Sequence, residues 1–394
     1  MSESKRLINV KAVGLAIAVF TCTGAFAQPQ TEAPRTASEL SPATTAAPPT
    51  IYANHTPHPF GGRFAVFTSE ADNLVPNDTN RVHDVFLQDT QTNTFRRLSV
   101  DRRGNQIPYS SSSLHTPIIT PDGRFAVFES SPAAINKDAI PINRLLYWKD
   151  LQTGEVRWVN QPNQNLRGTT FSASSFAISS NGRFVAFTSN SRLTQDTQRL
   201  ETTVFVRDMT RGVTTRIADG RGNLSISANG ELIAFSSLSS NLVPGDTNNS
   251  QDIFVHNTQT RTTTRVSLST EGTEGNNTST SPAISPDGRF IAFTSDASNL
   301  VPNDTNQSAD VFLIDLHQGT TRSVTLDLGA TATPGQRIRL SILSRFLSFS
   351  PDSRFLLFGA AIRTQRPSRT SDYAMIFDTS SGQISQGPRI VRHP

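Results

Sequence analysis

Three loops of this sequence carry two aspartates and one asparagine at a fixed spacing, in the pattern D-T-N-x-x-x-D. The residues are Asp78, Asn80 and Asp84, then Asp246, Asn248 and Asp252, then Asp304, Asn306 and Asp310. Calcium prefers oxygen ligands, and carboxylate and amide oxygens at about positions 1, 3 and 7 resemble the start of a calcium-binding loop. The spacing therefore makes these residues candidate calcium ligands.

The same residues also suit a purely structural role. An EF-hand loop needs a bidentate glutamate at about position 12, where this chain has Asp89, Asn257 or Asp315. Each lies five residues along a predicted strand from the last aspartate of its loop, about 16 Å away, and so cannot close the same site. Asp and Asn also form Asx turns that hydrogen-bond loop amides. We favour the Asx-turn interpretation and keep calcium as the alternative.

Residues for other chemistry are sparse. Cys22 is the only cysteine, and there is no HExxH, GxSxG or glycine-rich phosphate loop. The seven histidines occupy unlike positions in the repeats described below; they are His55, His58, His83, His115, His256, His317 and His393. We predict no catalytic residue and no cofactor other than calcium.

A repeated turn must position the three loops. Six copies occur, written FGGRFAVF, PDGRFAVF, SNGRFVAF, ANGELIAF, PDGRFIAF and PDSRFLLF, and they are anchored at Arg63, Arg124, Arg183, Glu231, Arg289 and Arg354. Self-similarity at intervals of tens of residues indicates a propeller or a solenoid. The helical or leucine-rich periodicity of a solenoid is absent, so the pattern favours a propeller of six units.

Each unit contains four strand-sized segments. In the fifth they are SPAIS, RFIAFTS, DVFLID and TTRSVTL, which are rich in β-branched and aromatic residues and are bounded by turn residues. The second segment is almost continuously apolar, as expected of a strand packed on both faces. Four-stranded sheets stacked around an axis form a closed ring. We therefore predict an all-β fold, a six-bladed β-propeller of four-stranded antiparallel blades.

The segment SPAISPDGRFIAFTS, followed by DVFLIDLHQGTTRSV, resembles the WD40-like (PD40) repeat of TolB-type propellers. The resemblance covers residues 57–390 and implies the propeller fold; for function it implies a scaffold for envelope proteins. Two units depart from the pattern. Glu231-Leu232 replaces Arg-Phe in the fourth, and the first has a poorly formed inner strand, so residues 51–60 are candidates for closing the ring on the last blade.

Loop lengths predict two unlike faces. The third strands are expected to begin at Asp84, Leu145, Thr203, Asp252, Asp310 and Tyr373. In an up-and-down blade the first and third connections share one end, and these are the short ones. The long polar connections, such as SVDRRGNQIPYSSSSLHTP, then lie at the other end. Binding groups usually sit on such loops, so we expect function on the long-loop face.

The N-terminal segment predicts export. Lys5, Arg6 and a short apolar run ending in small residues read as a secretory signal peptide (1–27) cleaved near Ala27. The run is too short to span a bilayer. Residues 28–50 are rich in Pro, Thr and Ala, which predicts a disordered linker, and residues 51–394 form the predicted propeller. The expected location is periplasmic or secreted.

Composition limits the range of partners. The net charge of +4 comes mainly from dispersed arginines, whereas a nucleic-acid binder clusters basic residues with aromatics. We expect no nucleic-acid partner, no transmembrane segment and a monomer. The main hypothesis is an exported, non-catalytic propeller that binds a protein or peptide partner in the cell envelope, through the long-loop face or the central channel. The alternatives are a polysaccharide-active, lyase-like enzyme and a calcium-stabilised surface propeller.

Overall fold

A computed structural model describes residues 56–57, 62–101, 103–107, 116–130, 145–163, 173–195, 202–326, 339–365 and 368–390. The predicted signal peptide and linker lie outside these residues, and both stay predictions. In the part of the chain that is described, no helix is long and apolar enough to cross a membrane.

The described residues form six four-stranded antiparallel sheets, which confirms the predicted six-bladed β-propeller. The first three blades contain β1 (Thr56–Pro57), β2 (Phe64–Ser69), β3 (Asp84–Asp89) and β4 (Thr94–Arg97); β5 (Ile118–Ile119), β6 (Phe125–Ser130), β7 (Leu145–Asp150) and β8 (Val156–Trp158); and β9 (Ser175–Ile178), β10 (Phe184–Ser189), β11 (Thr203–Asp208) and β12 (Val213–Asp219).

The other three blades follow the same order. They contain β13 (Arg221–Ile226), β14 (Leu232–Ser237), β15 (Asp252–Asn257) and β16 (Thr262–Arg265); β17 (Ser279–Ile284), β18 (Phe290–Ser295), β19 (Asp310–Asp315) and β20 (Thr320–Ser323); and β21 (Arg339–Phe349), β22 (Phe355–Gln365), β23 (Ser368–Asp378) and β24 (Ile384–Ile390). In every blade, sequential strands are hydrogen-bonded neighbours.

The predicted starts of the third strands hold in five blades and fail in the sixth. There β23 begins at Ser368 rather than Tyr373, and only two residues separate it from β22. The expectation of a long second connection is therefore wrong for this blade. Its middle strands are longer than those of the other blades, because the FLLFGAAIRTQ segment keeps pairing with β23 beyond the point where the second strands of the other blades end.

Closure of the ring also differs from the expectation. Thr56 pairs with Val66 and Pro57 with Ala65, so β1 belongs to the first blade and not to the last. The last blade is completed by its own β24, which pairs with β23. Each blade is thus built from one continuous stretch of chain.

The repeated arginine, which follows the first short turn of its blade, forms an ion pair with the aspartate that begins the third connection. Arg289 forms a 2.6 Å ion pair with Asp315, and its guanidinium lies 4.7 Å from the ring centroid of Phe290. The same pair occurs at Arg63–Asp89, Arg124–Asp150, Arg183–Asp208 and Arg354–Asp378. In the fourth blade both partners change: Asn257 donates a hydrogen bond to Glu231 at 3.2 Å. A hydrogen bond from an amide to a carboxylate thus replaces the ion pair where the sequence departs from the repeat.

The blades pack through their middle strands, which are buried on both faces as predicted. Phe293 and Phe312 stack at 5.7 Å between ring centroids inside the fifth blade, and both are fully buried. Between blades, the turn glycine lies against an aromatic ring of the preceding blade. A Cβ at Gly182 would lie 2.1 Å from the ring of Phe125. Glycine is required there both for this close approach and for its positive φ of 70°.

The short first turns are joined from blade to blade. Ser180 N donates to Ala228 O, and Ala228 N donates to Pro286 O, both at 3.0 Å. Asp287 N then donates to Ser353 Oγ of the sixth blade, also at 3.0 Å. These turns connect the inner strand of each blade to its second strand, so the hydrogen bonds form a chain beside the axis. We call this end of the ring the short-turn face.

Candidate functional site

The first D-T-N loop is built around a buried guanidinium. The side chain of Arg97, on β4, lies with Nη2 3.3 Å from Asp78 Oδ2 and Nε 3.6 Å from Asp84 Oδ2. Gln106, from the connection to the second blade, donates to Asp78 Oδ1 at 2.7 Å and accepts from Thr79 N at 3.1 Å. The two carboxylates therefore already have a positive partner.

The second loop repeats this arrangement with more charge. Nη1 of Arg265, on β16, lies 3.3 Å from Asp246 Oδ1, 3.2 Å from Asp252 Oδ2 and 2.8 Å from Glu274 Oε2. Its Nη2 donates to Gly245 O at 2.8 Å. The ligand atoms of the three acidic groups lie within 4.8 Å of one another, a cluster that could hold a metal ion. The guanidinium lies among those oxygens, so a metal ion would have to displace it.

The third loop lacks this arginine. Ser323 opposes Phe312 across β19 and β20, just as Arg97 opposes Phe86 and Arg265 opposes Phe254 in their blades. Asp310 is buried and accepts hydrogen bonds from Thr325 Oγ1 at 2.5 Å and Asn306 Nδ2 at 2.7 Å. Among the described residues, no ion pair is recorded for Asp304 or Asp310. Within the described residues, no cation therefore lies beside these two neighbouring carboxylates.

The asparagine has the same structural role in all three loops. Its Oδ1 accepts from the backbone amide two residues on, at Val82, Ser250 and Ser308. Its Nδ2 points to the second aspartate, with distances of 3.2, 3.1 and 2.7 Å to Asp84, Asp252 and Asp310. These are the predicted Asx turns. Because Oδ1 is engaged, a cation at these loops would rely on carboxylate and main-chain oxygens.

The second aspartate of each loop also anchors its blade. Asp84 accepts from Ser99 Oγ at 2.5 Å, and Ser99 Oγ in turn accepts from Val85 N at 3.0 Å. Asp252 with Ser267, and Asp310 with Thr325, repeat the pair. This carboxylate therefore ties the start of the third strand to the end of the fourth. The first aspartate of each loop is the one whose environment differs between blades.

The pKa directions follow from burial and neighbouring charge. Burial raises the pKa of Asp78, and the guanidinium of Arg97 opposes that effect. Burial also raises the pKa of Asp246, with a further increase from the Asp252 carboxylate and opposition from Arg265. For Asp304 burial and then the Asp310 carboxylate raise the pKa, and only a backbone hydrogen bond lowers it. A bound cation would relieve this unfavourable charge.

Sequence reasoning identified the aspartates but missed four residues that decide their environment. These are Arg97, Gln106, Arg265 and Glu274. They lie 13 to 28 residues beyond the aspartates, on the fourth strand and on the connection to the next blade. The available signal was the alignment of fourth strands, in which arginine, arginine and serine occupy the same place in TFRR, TTTR and TTRS.

Several solved propeller structures align with this chain at low identity. A TolB protein of Agrobacterium tumefaciens aligns at 14% identity and a TM-score of 0.43, over 76% of this chain and 86% of that one. The β-propeller domain of the Trilobed protease of Pyrococcus furiosus aligns at 11% identity and a TM-score of 0.49, over 82% and 81%. An oligogalacturonate lyase of Vibrio parahaemolyticus aligns at 11% and 0.43, over 69% and 64%.

No family model matches the sequence, and no curated protein matches it. The likeness to solved structures concerns the propeller fold, which binding proteins and enzymes share. Function must be argued from the site.

Proposed function

We propose that this chain is an exported, non-catalytic propeller that holds a protein or peptide partner in the cell envelope, through the long-loop face or the central channel. The observation that supports this is the contrast between its two faces. On the short-turn face, backbone hydrogen bonds join neighbouring turns beside the axis. The opposite end carries the D-T-N loops and the connections between blades, whose polar groups are available on a rigid scaffold.

Site-specific photo-crosslinking of the mature protein in its native envelope tests the proposal. The cross-linking residue is placed at Asn277, exposed on the long-loop face, and, as the matched control, at Ser381, exposed on the short-turn face. We expect a defined protein adduct from position 277 and none from position 381. Equal adducts from both positions would contradict the proposal, and no adduct from 277 would exclude the long-loop face as the binding surface. Mass spectrometry of the same material shows whether the mature chain begins at Gln28.

The lyase-like alternative predicts a different result. Incubation of the purified protein with polygalacturonate and manganese would release unsaturated products, which absorb in the ultraviolet. The non-catalytic proposal predicts no such absorbance above that of a heat-denatured sample. Activity that survives repurification would overturn it.

A second candidate role, a calcium-stabilised propeller, is favoured by the third D-T-N loop. Asp304 and Asp310 form a carboxylate pair where the other two loops hold an arginine. The nine candidate calcium ligands of the three D-T-N loops therefore differ in their surroundings, and Asp304 and Asp310 are the best candidates among them. Calcium would bind the folded state alone and raise the midpoint of thermal unfolding (Tm).

A further inference from the structure

A groove of about 530 Å³ lies between the third and fourth blades on the short-turn face. Its apolar surface comes from Phe184, Val206, Val213 and Ile217. Val213 is 49% exposed, and it is one of two large apolar side chains this exposed among the described residues. The groove is separate from the long-loop face, so it stands apart from the function proposed above.

Long cationic side chains bridge two comparable boundaries. Between the second and third blades, Arg157 donates to Met209 O and Arg207 donates to Gln161 O. Between the fifth and sixth, Arg322 donates to Thr379 O at 3.2 Å and lies 4.8 Å from the ring centroid of Phe377. Arg157 and Arg322 thus cross from an outer strand to the next blade, whereas Arg207 crosses from a third strand to the end of the preceding blade.

At the boundary that holds the groove, shorter side chains replace these bridging arginines. By strand register, Thr215 on β12 takes the place of Arg157 and Arg322. His256 on β15 takes the place of Arg207, and its Nδ1 is 2.9 Å from Thr263 Oγ1 within its own blade. Both of these shorter residues line the groove.

The charge around the groove is positive. Three arginines, Arg183, Arg211 and Arg261, line it together with two carboxylates, Asp208 and Glu231. Arg183 is paired with Asp208 at 2.7 Å. Nε of Arg211 comes no closer than 3.9 Å to Asp208 Oδ2, which is already paired with Arg183. The side chain of Arg211 is 76% exposed. Arg261 is exposed and forms no recorded ion pair with a described residue.

Arg261 stands in a backbone conformation that favours glycine. Its φ is 59°, and the corresponding turn position holds Gly154, Gly212, Gly319 or Gly382 in four other blades, each with the same hydrogen bond back to the start of the turn. A side chain is strained in this region. Strained residues cluster at functional sites because the function compensates for the strain. The arginine is thus placed beside the groove at a cost to the turn.

We propose that this groove binds an acidic peptide segment of a partner protein, with one apolar side chain against Val213 and Ile217 and its carboxylates at Arg211 and Arg261. An apolar anchor fits the exposed floor, and the excess of positive charge selects acidic neighbours over basic ones. Carboxylates gain charge-assisted hydrogen bonds from guanidinium groups that have no other strong partner.

Fluorescence anisotropy with two labelled peptides tests the proposal on the mature full chain. One peptide has a central leucine between glutamates, and the other has a central leucine between lysines. We expect the acidic peptide to bind and the basic one not to. Arg211→Ala and Arg261→Ala should each weaken acidic-peptide binding about tenfold, whereas Arg103→Ala, an exposed arginine outside the groove, should leave it unchanged.

The variant Thr215→Arg separates groove binding from a general effect on folding. It restores the bridging arginine of the sister boundaries, so it should fill the groove, abolish peptide binding and leave Tm unchanged or higher. Equal binding of both peptides, full binding by Thr215→Arg with an intact fold, or no binding of the acidic peptide would each overturn the proposal.

Discussion

The D-T-N loops at Asp246 and Asp304 have the same backbone turn and opposite electrostatics. Both place the first aspartate near the buried second aspartate, and both use asparagine for the Asx turn. At Asp246, a guanidinium of the outer strand lies among the carboxylates. At Asp304, serine occupies that strand position. The D-T-N motif therefore determines the backbone turn. The residue at one position of the fourth strand, Arg265 or Ser323, determines whether a guanidinium lies beside the carboxylates.

The difference shows how a repeat can diverge without losing its fold. The second aspartate anchors the blade through Ser267 or Thr325 in both loops, so it cannot change freely. The first aspartate contributes mainly charge. Where a cation is built in, the loop is complete as a structural element, and where it is missing, an external cation would lower the cost of two neighbouring carboxylates.

The largest expected effect comes from removing the built-in cation. Arg265→Ala leaves Asp246, Asp252 and Glu274 without a positive partner, and breaking a buried ion pair on one side costs about 3–5 kcal/mol. We expect that loss in the free energy of unfolding, measured by urea titration. Ser323→Ala, at the matching position of the third loop, is the comparison variant; it loses only the hydrogen bonds that Ser323 Oγ accepts from Thr325 N and Leu326 N, and should cost about 1 kcal/mol. Equal losses of unfolding free energy in both variants would contradict the claim that Arg265 compensates the charge of its loop.

Calcium should act on the third loop. We expect millimolar calcium to raise Tm, since a ligand present at about 100 times its dissociation constant stabilises the folded state by about 2.7 kcal/mol. Asp304→Ala should remove most of this gain, whereas Asp296→Ala, at an exposed aspartate nearby, should retain it. Differential scanning fluorimetry with chelator and with calcium measures the shift. An unchanged Tm would leave the third loop as an Asx turn alone.

An arginine at position 323 should make the third loop behave like the second, which has its own cation. Ser323→Arg supplies the third loop with the cation of the second, and we expect it to abolish the calcium response. In the presence of chelator its effect on stability should be small, because the attraction to the two carboxylates is offset by the desolvation of the arginine and by the loss of the hydrogen bonds that Ser323 Oγ accepts from Thr325 N and Leu326 N. Calorimetry with and without calcium measures both changes. A calcium response that survives would place the ion elsewhere.

The smallest effect concerns pH. The raised pKa of Asp304 means that its carboxyl contributes stability below its ordinary pKa and loses that contribution as the pH rises through the raised value. Calcium needs the ionised form, so the calcium-dependent rise in Tm should decline as the pH falls through this raised pKa. Asp304→Asn, which lacks the carboxylate, should show little calcium-dependent rise at any pH. A gain that is constant over this interval would contradict the assignment.

The fold could be predicted well because its determinants are local. Turn residues such as Gly288, the apolar run from Phe290 and the fixed distance to Asp310 specify a hairpin and a buried strand within about 25 residues. The prediction failed where the repeat is irregular. The sixth blade extends its middle strands to Gln365 and Ser368, and Thr56–Pro57 pairs inside the first blade. Turn signals alone do not fix how far a ladder continues.

The candidate site was predictable only in part. The aspartates of the D-T-N loops stand out because they are close in sequence, and the Asx turns follow from the same few residues. Arg97, Arg265 and Ser323 give no local signal, since each is one polar residue on an outer strand. Their meaning depends on which side chains the sheet brings opposite them.

The sequence by itself determined the number of blades, the strand order and the two kinds of face, since periodic turns and apolar runs act over short distances along the chain. Only the tertiary structure decided where charge is compensated. Whether a carboxylate meets a guanidinium, as at Asp246, or another carboxylate, as at Asp304, depends on contacts between strands and connections far apart in the chain. Electrostatic energy depends on distance in space, and that distance exists only after the blades have formed.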